Sequence, residues 1–183
     1  MSTVNIKQRY EEYLLVGSDI IDHLPTFVSI AHDLGALRVI ELGVRSGVST
    51  VAWLYALQDQ GEQWSVDLEP STIDFGHPAH WHFVQGDDRD PQTLAQLPED
   101  VDIVFIDTSH TYDHTRAELR DYGRRVRNGG LILLHDTEVE HPQLAPEDEY
   151  PYPVKRAISE YCDLHDLTWQ NDERCNGLAT IFV

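Results

Sequence analysis

Lysine is almost missing from this chain: of its 183 residues only Lys7 and Lys155 carry an ammonium side chain, so basic function falls to arginine. Lysines and arginines together number 13 against 32 aspartates and glutamates, a formal net charge of −19. Such a surface repels a phosphate backbone at long range, which argues against nucleic acid as a partner. A salt-rich cytoplasm or drift in base composition would each produce the bias. Cysteine is equally scarce, and Cys162 and Cys175 are too few for a disulfide framework and match no zinc spacing, so both are expected as plain thiols. No apolar run approaches the roughly 20 residues of a membrane span. The polar start, Met1 to Tyr13, lacks the apolar stretch of a secretory signal. A cytoplasmic protein without a membrane partner is the expectation. Internal repeats and linkers are absent as well. The length suits one well-buried core and not two, so residues 1–183 are expected as a single domain, with an N-terminal helical segment over 1–36 and an α/β core over 37–183.

What is present is an alternation of short apolar runs with amphipathic stretches. Arg38 to Leu42 is a strand stopped by glycine, and Val48 to Leu57 follows at helical spacing. Further strands are expected at Gln63 to Asp67, His82 to Gln85, Val101 to Ile106 and Leu131 to Leu134. The last two are nearly continuous in large apolar residues, as central parallel strands are when helices cover both faces. Tyr112 to Arg127 is expected as a helix stopped by Asn128-Gly129-Gly130, and Asp19 to Leu34 as a helix that Pro25 must start or kink. Val154 to His165 closes as a helix, before strands at Leu167 to Gln170 and Leu178 to Val183; His141 to Pro153, rich in proline and acid, is expected as a loop. The fold class is α/β: a doubly wound, Rossmann-like, seven-stranded and mostly parallel sheet with helices on both faces and an antiparallel closing strand. Such sheets bind ligands beyond the carboxyl ends of their strands, at the switch point.

The candidate functional residues sit at those ends. Gly43 and Gly47, after the first strand and at the mouth of a helix, let the backbone approach a ligand and leave N–H groups facing it; any tight strand-to-helix turn also wants glycine. Asp67 ends the second strand 20 residues after Gly47, where a carboxylate can accept both hydroxyls of a ribose. Glu41 lies inside the first strand and needs donors or a cation, for which a ligand ammonium or backbone amides would serve. Asp87 and Asp88 follow the third strand, where they face an adenine amino group or simply form an Asx turn. Asp107, His110, His135 and Asp136 end the fourth and fifth strands. With neighbouring strands about 4.8 Å apart, these acids can converge on one hard cation or one substrate hydroxyl, and either histidine can take a proton. His77, His80 and His82 fit no ligand spacing and are expected in a loop.

These residues resemble the class I S-adenosylmethionine-dependent methyltransferases, and among them the branch grouped with cephalosporin hydroxylase-like and macrolide sugar O-methyltransferase proteins. The resemblance covers nearly the whole chain. It rests on Ser18 to Pro25, on Val39 to Thr50, and most specifically on Phe105-Ile106-Asp107-Thr108-Ser109-His110-Thr111-Tyr112 and Asn128 to Thr137. It implies S-adenosylmethionine on the loop Glu41 to Gly47, including Arg45 and Ser46, with Glu41, Gly43 and Gly47 around the methionine part. Asp67 then meets the ribose, Asp87 or Asp88 the adenine, and Asp107 the reactive end. It further implies His110 or His135 as the base, oriented by Asp136, and a small-molecule acceptor hydroxyl. A magnesium ion on Asp107, His135 and Asp136 is an optional second cofactor, and a homo-oligomer stays open. Two departures stand out: Arg45 where many methyltransferases have another glycine, and His135 in place of an acid beside Asp136. Two rivals remain, a catalytically silent S-adenosylmethionine-binding or partner-regulating module and an NAD-dependent oxidoreductase, although Gly-x-x-x-Gly is not the usual dinucleotide fingerprint.

Overall fold

The computed structural model describes residues 5–58, 60–71, 73, 80–140 and 151–183. Five apolar runs form parallel strands: β1 (Arg38–Leu42), β2 (Glu62–Asp67), β3 (Trp81–Gln85), β4 (Val101–Ile106) and β5 (Val126–His135). β6 (Thr168–Asp172) and β7 (Leu178–Phe182) extend the sheet, with β7 antiparallel to both neighbours, in the order β3-β2-β1-β4-β5-β7-β6. This is the expected seven-stranded, mostly parallel sheet. The strand order reverses between β1 and β4, which opens a crevice at their carboxyl ends.

Side chains alternate between the two faces of each strand, and the core divides accordingly. On one face Val39, Ile103 and Phe105 pack under α1 (Ile6–Tyr13), α2 (Leu24–Leu34) and α3 (Val48–Leu57), where Phe27, Trp53 and Phe105 form an aromatic cluster. On the other, Ile40, Leu42, Val104 and Ile106 meet Leu119 and Tyr122 of α5 (Tyr112–Gly123) and Ile158 of α6 (Pro153–His165). The short α4 (Pro91–Leu94) precedes β4, capped by Asp90 accepting from the Gln92 amide. Each fully buried Leu, Ile or Phe contributes roughly 1.5–3 kcal/mol, which is what lets this chain keep several acids at strand ends. Among the described residues no helix is long and apolar enough to cross a membrane, and both cysteines are free.

Three expectations needed correction. The helix expected over Asp19 to Leu34 begins later: a single 3-10 turn, Ile21–His23, leads into α2, whose first turn contains Pro25, the place where a missing N–H costs nothing. The helix expected to reach Arg127 ends at Gly123, so Asn128-Gly129-Gly130 is not its stop but part of β5. A Cβ on Gly130 would lie 2.6 Å from the Asp102 carbonyl oxygen. Gly130 serves close backbone approach and Gly129 a left-handed turn, φ +78°, at the irregular step where the β4–β5 register moves on from Val101 to Ile103. His82, finally, is not in a loop but in β3, stacked on Trp64. The loop expected from His141 lies outside the described residues through 150, as does His77, and Pro153 already belongs to α6.

Candidate functional site

Beyond the carboxyl ends of β1, β2, β4 and β5 lies a cavity of about 390 Å³. Gly43, Arg45, Asp67, Asp88 and Asp107 line it, together with His110 and Asp136. These are seven of the residues picked out from the sequence, and the fold brings them together. A larger groove, about 900 Å³, runs between α5 and α6 near the start of β5 and holds none of them.

The turn after β1 is built for close approach. Gly43 has φ +87°, and a Cβ there would lie 1.9 Å from the Asp107 carbonyl oxygen, so only glycine fits between the tips of β1 and β4. Arg45 follows with φ 48°, a left-handed backbone that favours glycine. Its guanidinium lies 3.4 Å from Asp19 at the rim. Asp67 holds the turn from the next strand: Oδ2 accepts from the Val44 and Arg45 amides at 2.8 and 3.0 Å, and Oδ1 accepts from the Glu69 amide at 2.9 Å.

Glu41 does not line this cavity. Its carboxylate is fully buried under α3 and accepts from Ser49 (2.6 Å), Thr50 (2.8 Å), Gln63 (2.9 Å) and Ser65 (2.6 Å). Its protein donors are side chains of α3 and β2, not backbone amides. Burial pushes its pKa up to about 7, against the downward pull of those hydrogen bonds. Because the folded value lies above the unfolded one of about 4.3, the unfolded chain ionises first as pH rises. The stability Glu41 contributes is thus fully present below about pH 4.3 and is lost as pH climbs toward 7. Glu41→Gln is expected to cost about 1–3 kcal/mol at pH 5, since its amide N–H meets donors. Between pH 4.5 and 7.5 wild type should lose about 2–4 kcal/mol relative to this variant, which closes or reverses the gap. Urea denaturation across that range checks it, and a gap independent of pH would contradict the assignment. Ser46, Gly47 and Asp87 also stay off the cavity; Asp87 is held by Arg89, its pKa depressed by that hydrogen-bonded pair.

At the β3 end of the cavity Asp88 is nearly buried. His114 of α5 lies 2.9 Å from its Oδ2 and 3.5 Å from Glu118 Oε1, while Tyr122 donates to the Asp88 carbonyl at 2.6 Å. Glu118, fully buried, accepts from Thr108 at 2.6 Å. Hydrogen bonds to Asp88 and Glu118 raise the His114 pKa to about 9, and burial raises that of Glu118 to about 7. Of this cluster only Asp88 stood out in the sequence; His114 and Glu118 did not. The available signal was His114 and Glu118 spaced i, i+4 where an amphipathic helix turns its apolar face inward.

At the other end, His110 Nε2 lies 2.9 Å from Asp136 Oδ2. Burial opposes charge on His110, but the hydrogen bond and charge of Asp136 prevail and raise its pKa above the ordinary value. Asp136 is correspondingly held well below the usual carboxylate range by His110 and His135, despite burial. Both His110 and Asp136 have left-handed backbones, φ 54° and 57°, strain of the kind that collects at functional sites. Of the two histidines that offered themselves as the base, only His110 lines the cavity. His135 sits behind it, its side chain 1% exposed. Its Nε2 donates to the Cys175 carbonyl at 2.8 Å, and its Nδ1 points between Asp107 Oδ1 and Asp136 Oδ2, 3.4 Å from each. Burial opposes its charge, but those two acids raise its pKa to about 10. The Cys175 carbonyl, in the turn between β6 and β7, had no signature in the sequence.

The strand order and the strand-end acids together define a Rossmann-like protein of methyltransferase architecture. A family model described as a methyltransferase domain matches residues 40–137, more than half of the chain, and the chain belongs to that family. No curated protein matches it. Among solved structures it is similar to a putative caffeoyl-CoA O-methyltransferase from Staphylococcus aureus, at 12% identity and TM-score 0.73, over 99% of this chain and 92% of that one. It is also similar to the O-methyltransferase TomG of tomaymycin synthesis from Streptomyces achromogenes, solved with SAM, at 14% identity and TM-score 0.71 over 100% and 91%. A third is the MycE methyltransferase of the mycinamycin pathway in complex with Mg, SAH and mycinamycin VI, at 18% identity and TM-score 0.72, over 97% of this chain and 53% of that one. At these identities the likeness is one of fold.

Proposed function

We propose that the protein is an S-adenosylmethionine-dependent O-methyltransferase acting on a hydroxyl of a small molecule, a sugar or natural product, with His110 as general base. The observation that carries this reading is the His110–Asp136 pair opening into the same cavity as Asp67 and Asp107. The donor chemistry of the cavity suits the cofactor. Its wall carries Asp19, Asp67, Asp88, Asp107 and Asp136, an excess of negative charge that favours a cationic sulfonium and its ammonium tail.

When bound, S-adenosylmethionine supplies a methyl group on positively charged sulfur, which takes back the electron pair of the broken C–S bond as the acceptor oxygen forms its new bond. Asp67 keeps free lone pairs beside the three backbone amides it accepts from and takes the ribose hydroxyls. Asp88, locked by His114, serves the adenine end. Asp107 borders the reactive end, and the Arg45 turn presents its backbone to the methionine part. His110 hands one ring nitrogen to Asp136, which fixes its orientation, and the other takes the proton of the acceptor hydroxyl. Orientation of the two reactants within the cavity supplies the rest. Asp107, His135 and Asp136 would hold a divalent cation, whose chemistry is to lower the cost of exposing an alkoxide. The buried Nδ1 of His135, without a hydrogen-bond partner between two carboxylates, fits that group.

Calorimetric titration with S-adenosylhomocysteine tests the reading. Binding is expected for wild type, with a loss of roughly 10–100-fold for Asp67→Asn, the scale of a hydrogen bond to a charged group. Absence of heat with either adenosyl ligand would remove the reading. Release of S-adenosylhomocysteine with an acceptor panel separates an enzyme from a silent binding module, and a rise in NADH fluorescence on mixing would favour the oxidoreductase.

A further inference from the structure

We infer that the cation site at the tips of β4 and β5 selects a divalent transition metal in place of magnesium, with Nδ1 of His135 as a direct ligand between Asp107 and Asp136. This rests on the methyltransferase reading only for the use of the ion; the coordination argument stands on the side chains. Nδ1 of His135 is buried and has no hydrogen-bond partner, yet it lies 3.4 Å from one oxygen of each acid. Two ligands of a tetrahedral ion with bonds of about 2.1 Å are themselves about 3.4 Å apart. Donor atoms of Asp107, His110 and Asp136 also fall within 4.8 Å of one another, so both acids converge on one point.

The far side of the ring completes the case. A histidine that ligates a metal through one nitrogen almost always donates the other N–H to a carbonyl or carboxylate, which fixes the tautomer. His135 does so, through Nε2 to the Cys175 carbonyl at 2.8 Å. That leaves Nδ1 as the ligating atom. Magnesium wants hard oxygen donors in near-ideal octahedral geometry, whereas imidazole with carboxylates suits zinc, iron, cobalt or nickel. A nitrogen donor from His135 between two carboxylates therefore sets which metal is held.

Chelator-treated full-length protein is titrated with Co2+, followed by its visible absorption, and with Mg2+ as competitor. Wild type is expected to bind one Co2+ per chain with a Co2+ over Mg2+ preference at least tenfold greater than that of His135→Glu, where oxygen replaces nitrogen. If His135→Glu does not fold, His135→Asn exchanges nitrogen for oxygen without a new charge and is read in the same way. Asp107→Asn is expected to weaken Co2+ at least tenfold, while His82→Gln, on β3 and outside the cavity lining, leaves it unchanged. An unchanged Co2+/Mg2+ ratio in the position-135 variants overturns the inference. So does Co2+ binding that ignores Asp107→Asn, or no Co2+ binding in wild type, in which case the His135 ring itself fills the cation's place. S-adenosylhomocysteine calorimetry on the same chelated samples reports on the cofactor reading separately, so the two can fail independently.

Discussion

His110→Ala is expected to lower methyl transfer by about 10²–10⁴-fold, the contribution of a positioned general base, while S-adenosylhomocysteine affinity stays within about threefold of wild type. The split matters, because His110 faces the cavity with its side chain 27% exposed and carries no part of the apolar core. Its loss removes a proton acceptor, not a wall. S-adenosylhomocysteine release in single-turnover experiments, with an acceptor identified from the panel, measures the chemical step. A variant that loses cofactor affinity in step with turnover would assign His110 to binding and leave the reaction without its base. In His110→Ala/Asp136→Asn the two losses are expected to add only in part, since Asp136 acts on the proton through His110 as well as on the cation.

Gly43→Ala is expected to destabilise the protein by about 3–5 kcal/mol and to abolish cofactor binding in whatever fraction remains folded. The methyl group meets backbone, the Asp107 carbonyl at 1.9 Å, and not a flexible side chain that could swing away. Relief requires parting the tips of β1 and β4, where Asp107 N donates to the Leu42 carbonyl at 2.9 Å, while Gly43 N holds the turn to β2 through the Val66 carbonyl, also at 2.9 Å. Parting them separates Asp67 from Asp107, the two acids that flank the turn. Chemical denaturation gives the stability and calorimetry the binding. Wild-type stability in this variant would mean that the turn yields more easily than its geometry indicates.

Much of the site was readable because parallel sheets place ligands by rule. Once Arg38 to Leu42, Val101 to Ile106 and Leu131 to Leu134 were recognised as buried strands, the residues just after them had to share one edge. Gly43, Asp107 and Asp136 do line one cavity. Pattern alone was weaker where one residue type serves two purposes. Asn128-Gly129-Gly130 has the composition of a helix stop, but Gly130 is there because β5 passes close to the Asp102 carbonyl, and Gly129 takes a left-handed backbone within the strand. Glu41 had the cost of a buried charge correctly attached to it, yet its donors come from α3 and β2, 8 to 24 residues away, and spacing does not report them.

By itself the sequence determined the doubly wound sheet and the strand tips at which chemistry is possible, because hydrophobic period and glycine placement are local properties that each segment carries alone. Only the tertiary structure decided which histidine faces the cavity and which is held behind it. That choice depends on a backbone carbonyl, Cys175, arriving from a turn 40 residues further along the chain. A carbonyl has no identity in a sequence; its effect comes from where the folded chain puts it.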